Sequence, residues 1–594
     1  MPFSSRTMMD TGPVAIGRVR AVAQWAAVTS SFAAIVVLML APLSNYAAFS
    51  SATMSGDPKS IAWTFAWTSH AILTGTPLFD ANIFYPARPA LAYAEHYVGV
   101  GIWGLPLFAL TGNAVLVYSV LKILALTLNA VAMYACVRRW LPGRVPAIIA
   151  ALIFSVSAPR LLYSGNVALV WNCWFPLLLV TLHRWSEHRR WRWLWASVAL
   201  FVLQALATWY LAVMAFIVVV TFVAWRELWA VLWPAQPRGA GSTTGSDGGR
   251  RWAMAGVQAV AGTAVVVLSV WPFASPYLLL AEREKVTPDL ARRYSADVGS
   301  YVQPHENALA GPLITRVTGL DTRRVVAERA QFVGLITLAL CLVGAARTGW
   351  LARRRDLGKA DRTDVLWGGY FLIVALLGAG LSFGPGGDGS VRLFDAIARV
   401  PALNLFRVPS RFAVLVVFAV AGLAALGCAG LQRLGRRVSW IAGALLVPLM
   451  LLEWAVVPAS GLKPQPDPIP PIYRVVSTLD VHALVSLPCY RRSDTPPMDA
   501  DYMLYSTIHW KPMVNGYGRA DPPGMHWVVG AVNAFPGPNS AIRMREMGVD
   551  HVVVHSERYR DRAVAILREA ASSRDFELLA QVGSDYLYRV RSSR

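Results

Sequence analysis

The sequence predicts an α-helical polytopic membrane protein with about eleven spanning helices and a small α/β soluble domain at its C-terminal end. Three observations carry this reading. Of 594 residues, 55% are hydrophobic and only 15% are charged, where a soluble domain of this size would carry about 25% charge. The mean hydropathy is +0.45, and apolar runs of roughly 18–25 residues recur along most of the chain. After Pro458 the pattern changes to short strand-like and helix-like segments.

The formal charge of +21 does not point to nucleic acid. Basic residues cluster beside the apolar runs, which is the positive-inside pattern. Cys136, Cys173, Cys341 and Cys428 fall within apolar runs and only Cys489 lies in the tail. No CxxC occurs, so neither a disulfide framework nor a cysteine metal site is expected. Arg6, Arg18 and Arg20 precede a first apolar run that is long for a signal-peptide core, and it reads as an uncleaved helix.

Residues 1–457 form the membrane part. Spans are expected at about 21–43, 113–137, 145–158 and 166–183, then as two compact helices within 193–225 that turn near 207–210. Further spans follow at about 253–278, 331–346, 365–383, 411–430 and 438–457. The first outer loop, 44–112, holds a helix over 61–75 whose Trp63, Phe65 and Trp67 suit the membrane surface. Its glycine-rich run 98–112 reads as a re-entrant segment or as the entry to the next span. A Gly/Ser/Thr-rich stretch, 237–249, reads as a flexible loop.

In this layout the clusters at Arg138, Arg139 and Arg144, at Arg353, Arg354 and Arg355, and at Arg433, Arg436 and Arg437 fall on the side of the N-terminus. That side is therefore expected to be cytoplasmic, with the C-terminal domain outside. The proline-rich stretch 458–471 reads as a stiff linker. In 472–594, strands are expected at 482–487, 549–555, 576–582 and 586–590, and helices at 540–547 and 558–571.

Ionisable residues are sparse in the outward loops, so the few present are candidates. Gly56-Asp57-Pro58 offers a carboxylate just outside the membrane, suited to take a proton from an attacking hydroxyl. Asp before Pro is also an ordinary helix start, with Asp as the cap. Lys59 follows directly as a binding candidate. Glu95-His96 reads as a metal ligand, proton carrier or substrate hydrogen bond, or as a solvated loop end. Asp80 reads as a turn residue.

Further on, Glu282, Arg283, Glu284 and Lys285 with Arg292, Arg293, His305 and Glu306 suit a phosphate and a sugar, or a solvated loop. Arg407 and Arg411, in Phe406-Arg407-Val408-Pro409-Ser410-Arg411-Phe412, run against the positive-inside bias and suit an anion. Lys122 lies within a span and is a functional candidate unless it snorkels to one face; Glu453 has a similar status nearer the surface. No P-loop, Rossmann fingerprint, HExxH or GxSxG in a supporting context occurs, which removes support for ATP-driven transport and hydrolase chemistry.

The early Asp of the first outer loop, the interfacial helix, the span count and the outer C-terminal domain together resemble the GT-C superfamily of integral-membrane glycosyltransferases. Within it, the chain is similar to a broad group of bacterial multi-pass proteins. The pieces that carry this are Gly56-Asp57-Pro58, Trp67-Thr68-Ser69-His70-Ala71, Leu78-Phe79-Asp80-Ala81-Asn82-Ile83-Phe84-Tyr85-Pro86, Glu95-His96, the Arg407–Arg411 stretch and Val514-Asn515-Gly516-Tyr517.

The resemblance implies a transferase of the bacterial cytoplasmic membrane. It would pass a sugar from a polyprenyl-phosphate donor to an envelope glycan, lipid or protein on the outer face. Asp57 would be its catalytic base or metal-site residue, with Glu95 or Asp80 as the partner acid. The paired acids of several branches (Asp-Glu or Asp-x-Asp) are absent here, so a divalent metal stays open, with Asp57, Glu95 and His96 as its ligands if one is used. From the residues alone, two rivals stand: a carrier for a lipid-linked solute, and a non-catalytic envelope assembly protein.

Overall fold

Ten helices among the described residues are long and apolar enough to cross a membrane. They are Val19–Leu40, Ala114–Trp140, Val145–Leu162, Val167–His188, Trp209–Leu232, Ala253–Leu280, Leu335–Ala352, Lys359–Ser382, Pro409–Gly430 and Arg436–Trp454. The computed structural model describes residues 12–41, 56–233, 246–281, 287–354, 357–387, 390–400, 403, 406–432, 435–457, 469–490 and 498–592. Glu282 to Lys285 and most of the stretches 237–249 and 458–471 lie outside the described residues.

The eleventh expected span is the helix Trp191–Ala205, of 15 residues. At about 1.5 Å per residue it is short for a crossing. It nevertheless runs antiparallel along Trp174–His188: Ser197 Oγ donates to Thr181 Oγ1 at 2.9 Å and Gln204 Nε2 donates to the Trp171 carbonyl at 2.8 Å. The chain turns at 206–208, where Thr208 caps the helix Trp209–Leu232. The run 98–112 does not span either. It forms a short apolar helical stretch, Val98–Thr111, beside the helix Asp57–Thr74.

The span Pro409–Gly430 is the post of the bundle, with 94% of its most apolar window buried. Its small residues let neighbours approach to backbone contact. A side-chain carbon on Gly344 would collide with the Leu423 carbonyl, and one on Gly427 with the Leu340 carbonyl. Two spans are broken on the side facing the C-terminal region. Helix Val145–Val156 stops at Ser157 and resumes as Ala158–Leu162; Val167–Val170 stops before Trp174–His188.

Breaks free backbone groups that cannot be left bare inside a membrane. Buried side chains take them up. Arg160 Nη2 and Asn129 Nδ2 donate to the Val170 carbonyl at 3.0 and 2.7 Å, and the Asn172 amide donates to Asn129 Oδ1 at 3.1 Å. Glu453 does a similar service at the start of Leu335–Ala352, accepting from the Leu335 and Ile336 amides.

The C-terminal region carries a four-stranded sheet of order β1-β2-β4-β3, from Leu484–Leu487 (β1), His551–His555 (β2), Phe576–Val582 (β3) and Asp585–Val590 (β4). β1 and β2 are parallel, and the other pairs antiparallel. All of β2 is buried, as expected for its run of valines. Helices Pro538–Met547 and Ala563–Ser572 flank the sheet.

The sheet does not end at β1. The Leu484 amide donates to the Pro512 carbonyl and the Val514 amide to the Leu484 carbonyl, both at 2.9 Å. The first outer loop then pairs with that segment: Met513 N donates to Asn82 O at 2.9 Å, Tyr85 N to Met513 O at 2.9 Å, and Phe84 N to Asn515 O at 3.1 Å. Loop and C-terminal region also share one apolar core, in which Trp63, Trp67, Phe84 and Leu91 pack with Tyr473, Tyr502 and Val514.

This corrects the expected place of the helix at 61–75. It spans Asp57–Thr74, and Trp63, Phe65 and Trp67 are buried rather than spread at the membrane surface. The helix is held between the span Ala114–Trp140 and the helix Asp499–Tyr505. Trp63 Nε1 donates to Ser506 Oγ at 3.2 Å and Trp67 Nε1 to the Leu78 carbonyl at 2.8 Å, which satisfies both indoles inside protein.

Replacing Gly344 or Gly427 by Val is expected to force the central spans apart at a cost of about 1–3 kcal/mol. The thermal midpoint of the purified protein should fall for each single variant, and by less than the sum for the pair, because both relieve one crossing.

Candidate functional site

The site forms where several spans emerge against the first outer loop and the C-terminal region. Gly56, at φ +51°, caps the helix Asp57–Thr74, and the Lys59 and Ser60 amides donate to its carbonyl. A positive φ is favourable only for glycine. Since Gly56 provides the cap position, the Asp57 side chain is not spent on capping. Its exposed carboxylate accepts instead from the Tyr517 hydroxyl at 2.7 Å, across 460 residues of sequence. Burial first, and the Asp57 charge second, hold the Tyr517 phenol well above its ordinary range, so it stays a donor.

Asp57 sits on the turn after the broken span. Pro58 lies against Gly165, and Tyr118, near the start of Ala114–Trp140, donates to the Gly165 carbonyl at 2.6 Å. Tyr97 and Tyr163 close the same region. Burial, then the charges of Glu95 and Asp57, raise the Tyr97 phenol; burial raises Tyr163, against the opposing charge of Arg411.

Cations face this cluster. The Arg411 guanidinium lies over the Tyr210 ring at 4.5 Å, and its Nε has no hydrogen-bond partner. Arg407 Nη1 donates to the Arg519 carbonyl at 3.0 Å. Arg519 itself lies over Tyr277 at 5.3 Å, with Nε and Nη2 buried and unpartnered. Beneath Arg411 a cavity of about 20 Å³ is lined by Arg160, Tyr163, Glu328 and Ser410. Arg160 Nε, Tyr163 Oη and Ser410 Oγ are also without partners. Buried donors in that state call for a polar guest.

Of the candidates read from sequence, Asp57, Glu95 and Arg411 all act by charge on Tyr97, and Asp57 and Arg407 on Tyr517, which puts these four in one neighbourhood. The structure places the others elsewhere. Lys59 forms a largely buried ion pair with Asp501, which Arg558 also holds at 2.8 Å, so it fastens the helix Asp57–Thr74 to the C-terminal region. Asp80 takes its turn, with its amide donating to the Pro77 carbonyl, and pairs with Arg88 at 2.7 Å. Lys122 lies one helical turn beyond Tyr118, over that ring at 4.9 Å. His305 uses both ring nitrogens on the Val325 carbonyl and the Asn307 amide, and Glu306 faces Arg324 at 3.6 Å.

His96 is buried among Phe79, Trp209, Phe273 and Tyr277. Its Nδ1 accepts from the Val98 amide at 3.1 Å, and burial pushes the ring down to about 3. The aromatic rings enclose the imidazole and the Val98 amide takes its Nδ1, while Nε2 has no hydrogen-bond partner. Among the described residues, no group of three or more His, Cys, Asp or Glu could hold a metal ion.

Sequence reasoning did not assign Tyr517, Tyr97, Tyr163, Glu328 or Arg519 a role. The stretch Val514-Asn515-Gly516-Tyr517 was visible as a motif, and its glycine now has a reason: a side chain on Gly516 would meet the Phe84 ring. Asp499 anchors the stretch from behind. It is 2% exposed and accepts from the Tyr490 amide at 3.2 Å, and from Asn515 Nδ2 and the Gly516 amide, both at 3.3 Å.

No protein-family model matches the chain, and no curated protein matches it. Among solved structures it is similar to the archaeal oligosaccharyltransferase AglB from Archaeoglobus fulgidus, in complex with an inhibitory peptide and a dolichol-phosphate. The identity is 12% and the TM-score 0.40, covering 91% of this chain and 70% of that one. It is also similar to ArnT from Cupriavidus metallidurans in the apo state, at 13% identity and a TM-score of 0.38, covering 96% of this chain and 98% of that one.

Burial pushes the Asp499 carboxyl up to about 8, against the pull of its donors. In the unfolded chain it would titrate near 3.9. Its raised value therefore contributes stability that is full below about pH 4 and is lost as pH rises through about 8. The thermal midpoint of the wild-type chain is expected to drop more between pH 6 and pH 9 than that of Asp499→Asn. Parallel melting curves for the two would remove Asp499 as the cause.

Proposed function

We propose that the chain is a membrane glycosyltransferase that takes a sugar from a polyprenyl-phosphate donor and passes it to a hydroxyl acceptor on the outer face of the cytoplasmic membrane. The single observation that carries this is the Asp57 carboxylate, held at one oxygen by Tyr517, in one neighbourhood with Arg407 and Arg411, whose charges act with that of Asp57 on Tyr517 and Tyr97. The layout resemblance to GT-C enzymes supports the same reading.

In this reading Asp57 takes the proton of the acceptor hydroxyl as its oxygen bonds to the anomeric carbon of the donor. The bond from that carbon to the phosphate oxygen breaks, and the electron pair leaves with the polyprenyl phosphate. Arg411, with Arg407 and Arg519 beside it, offsets the charge of the leaving phosphate. Tyr517 occupies one carboxylate oxygen of Asp57, Oδ1, and leaves Oδ2 to the acceptor. The donor lipid would reach the site sideways from the bilayer, since an apolar polyprenyl tail stays within it. No step in this reading is routed through a metal.

The carrier reading expects broken helices near the bilayer midplane. The breaks here, at Ser157 and at 171–173, lie toward the ends of their spans and bind their own side chains. That leaves the transferase as the better account.

Asp57→Asn is expected to lower transfer from a polyprenyl-phosphate sugar by about 10²–10⁴-fold while expression and thermal midpoint stay unchanged. Undiminished transfer by this variant would sink the assignment. Tyr517→Phe removes one hydrogen bond to the carboxylate and is expected to cost about tenfold in the same assay. Separate kcat and KM measurements should show the loss in kcat, because in this reading Tyr517 acts on the acceptor only through Asp57.

A further inference from the structure

We propose that the opposite, basic face carries a binding pocket for the phosphate of an anionic phospholipid headgroup, built by Arg138, Arg144, Arg436 and Ser439. It is independent of the transferase reading. The face is opposite because Ala114–Trp140, 27 residues long, has Tyr118 at the seam with the C-terminal region and Arg138 in its far last turn.

The pocket is a half-open concavity of about 390 Å³ between three helix ends, and its three arginines are exposed. Arg138 closes Ala114–Trp140, Arg144 precedes Val145–Val156, and Arg436 opens Arg436–Trp454. No carboxylate lines it, and among the described residues none of the three guanidinium groups has an ion pair or hydrogen-bonded partner. Three free cations at one concavity repel one another until an anion joins them. The start of Arg436–Trp454 also lines the pocket, so its first-turn amides add positive potential.

Ser439 is the second, independent sign of a ligand. It lines the pocket, is only 3% exposed, and its Oγ has no hydrogen-bond partner. The wall behind it is closed, because Gly443 packs directly on Val145.

The surroundings favour a lipid over a free phosphate. Trp440 lines the pocket at 44% exposure, and an exposed indole marks headgroup level. Down the same helix Ile441, Leu445, Leu449 and Leu452 are exposed, an apolar track along which acyl chains would lie. A phosphodiester in the pocket continues into that track, whereas inorganic phosphate would use only the arginines and the serine.

The test is native mass spectrometry of the purified full chain in neutral detergent, titrated with phosphatidylglycerol and phosphatidylcholine of matched acyl chains. Phosphatidylglycerol is expected to bind at least about fivefold more tightly. R138Q/R436Q should erase that preference, S439A should weaken it with the fold intact, and R353Q/R354Q, which removes two charges from outside the pocket, should leave it unchanged. A preference that survives both R138Q/R436Q and S439A overturns the proposal. Equal loss in R353Q/R354Q overturns it too, by showing diffuse charge attraction. Complete competition by inorganic phosphate at matched concentration reassigns the pocket to free phosphate and overturns the lipid.

Discussion

The backbone ladder between 82–85 and 513–515 is the constraint on which the rest depends. It joins two parts of the sequence some 430 residues apart and leaves the first outer loop as the outermost element of the C-terminal sheet. An exposed sheet edge is a liability that proteins cover or pair. Here the pairing partner is the loop that also carries Asp57. The ladder, the shared core around Trp63 and Tyr502, and the Lys59–Asp501–Arg558 pairing therefore act as one fastening. Lys59 is two residues from Asp57, so whatever fixes Lys59 also fixes the carboxylate.

That fastening explains how a charge cluster persists at a membrane edge. Asp57 is held by a tyrosine from the C-terminal region, while Arg411 is held by its place on the buried post and its contact with Tyr210. Opposite charges brought close on flexible loops would simply pair and neutralise. On rigid elements they stay near one another with donors to spare, as the unpartnered nitrogens of Arg411 and Arg519 show. Unsatisfied buried donors cost stability, and such costs concentrate at functional sites.

Much of the architecture was legible in the sequence because its signals are local. Hydropathy gave the spans, including the turn near Thr208, and short runs rich in apolar and β-branched residues gave the four strands. What was not legible depends on contacts between distant segments. Trp63 and Trp67 have the composition of interfacial residues, yet the C-terminal region covers them. Lys59 looked like a ligand-binding cation, but its partner Asp501 lies 442 residues away. His96 beside Glu95 resembled a polar pair, and only the aromatic rings from three other segments show it to be part of a core. Asp57 was ambiguous for a different reason. A cap and a base share one sequence, and with Gly56 at the cap position the Asp57 carboxylate is left for another partner.

The two broken spans bear on why the site lies where it does. A continuous helix through Ser157 would carry Tyr163 along the span axis. The break instead turns the chain so that Tyr163 and Gly165 come under Asp57 and Pro58. Breaking a helix inside a bundle frees carbonyls, and Arg160 answers them while its Nε is left facing the cavity below Arg411. One buried arginine thus both stabilises the irregular backbone and lines the cavity it shares with Arg411 and Glu328. Replacing it by an apolar residue would undo the backbone repair before it changed any binding, so its electrostatic share is separable only in a variant that keeps a donor to Val170.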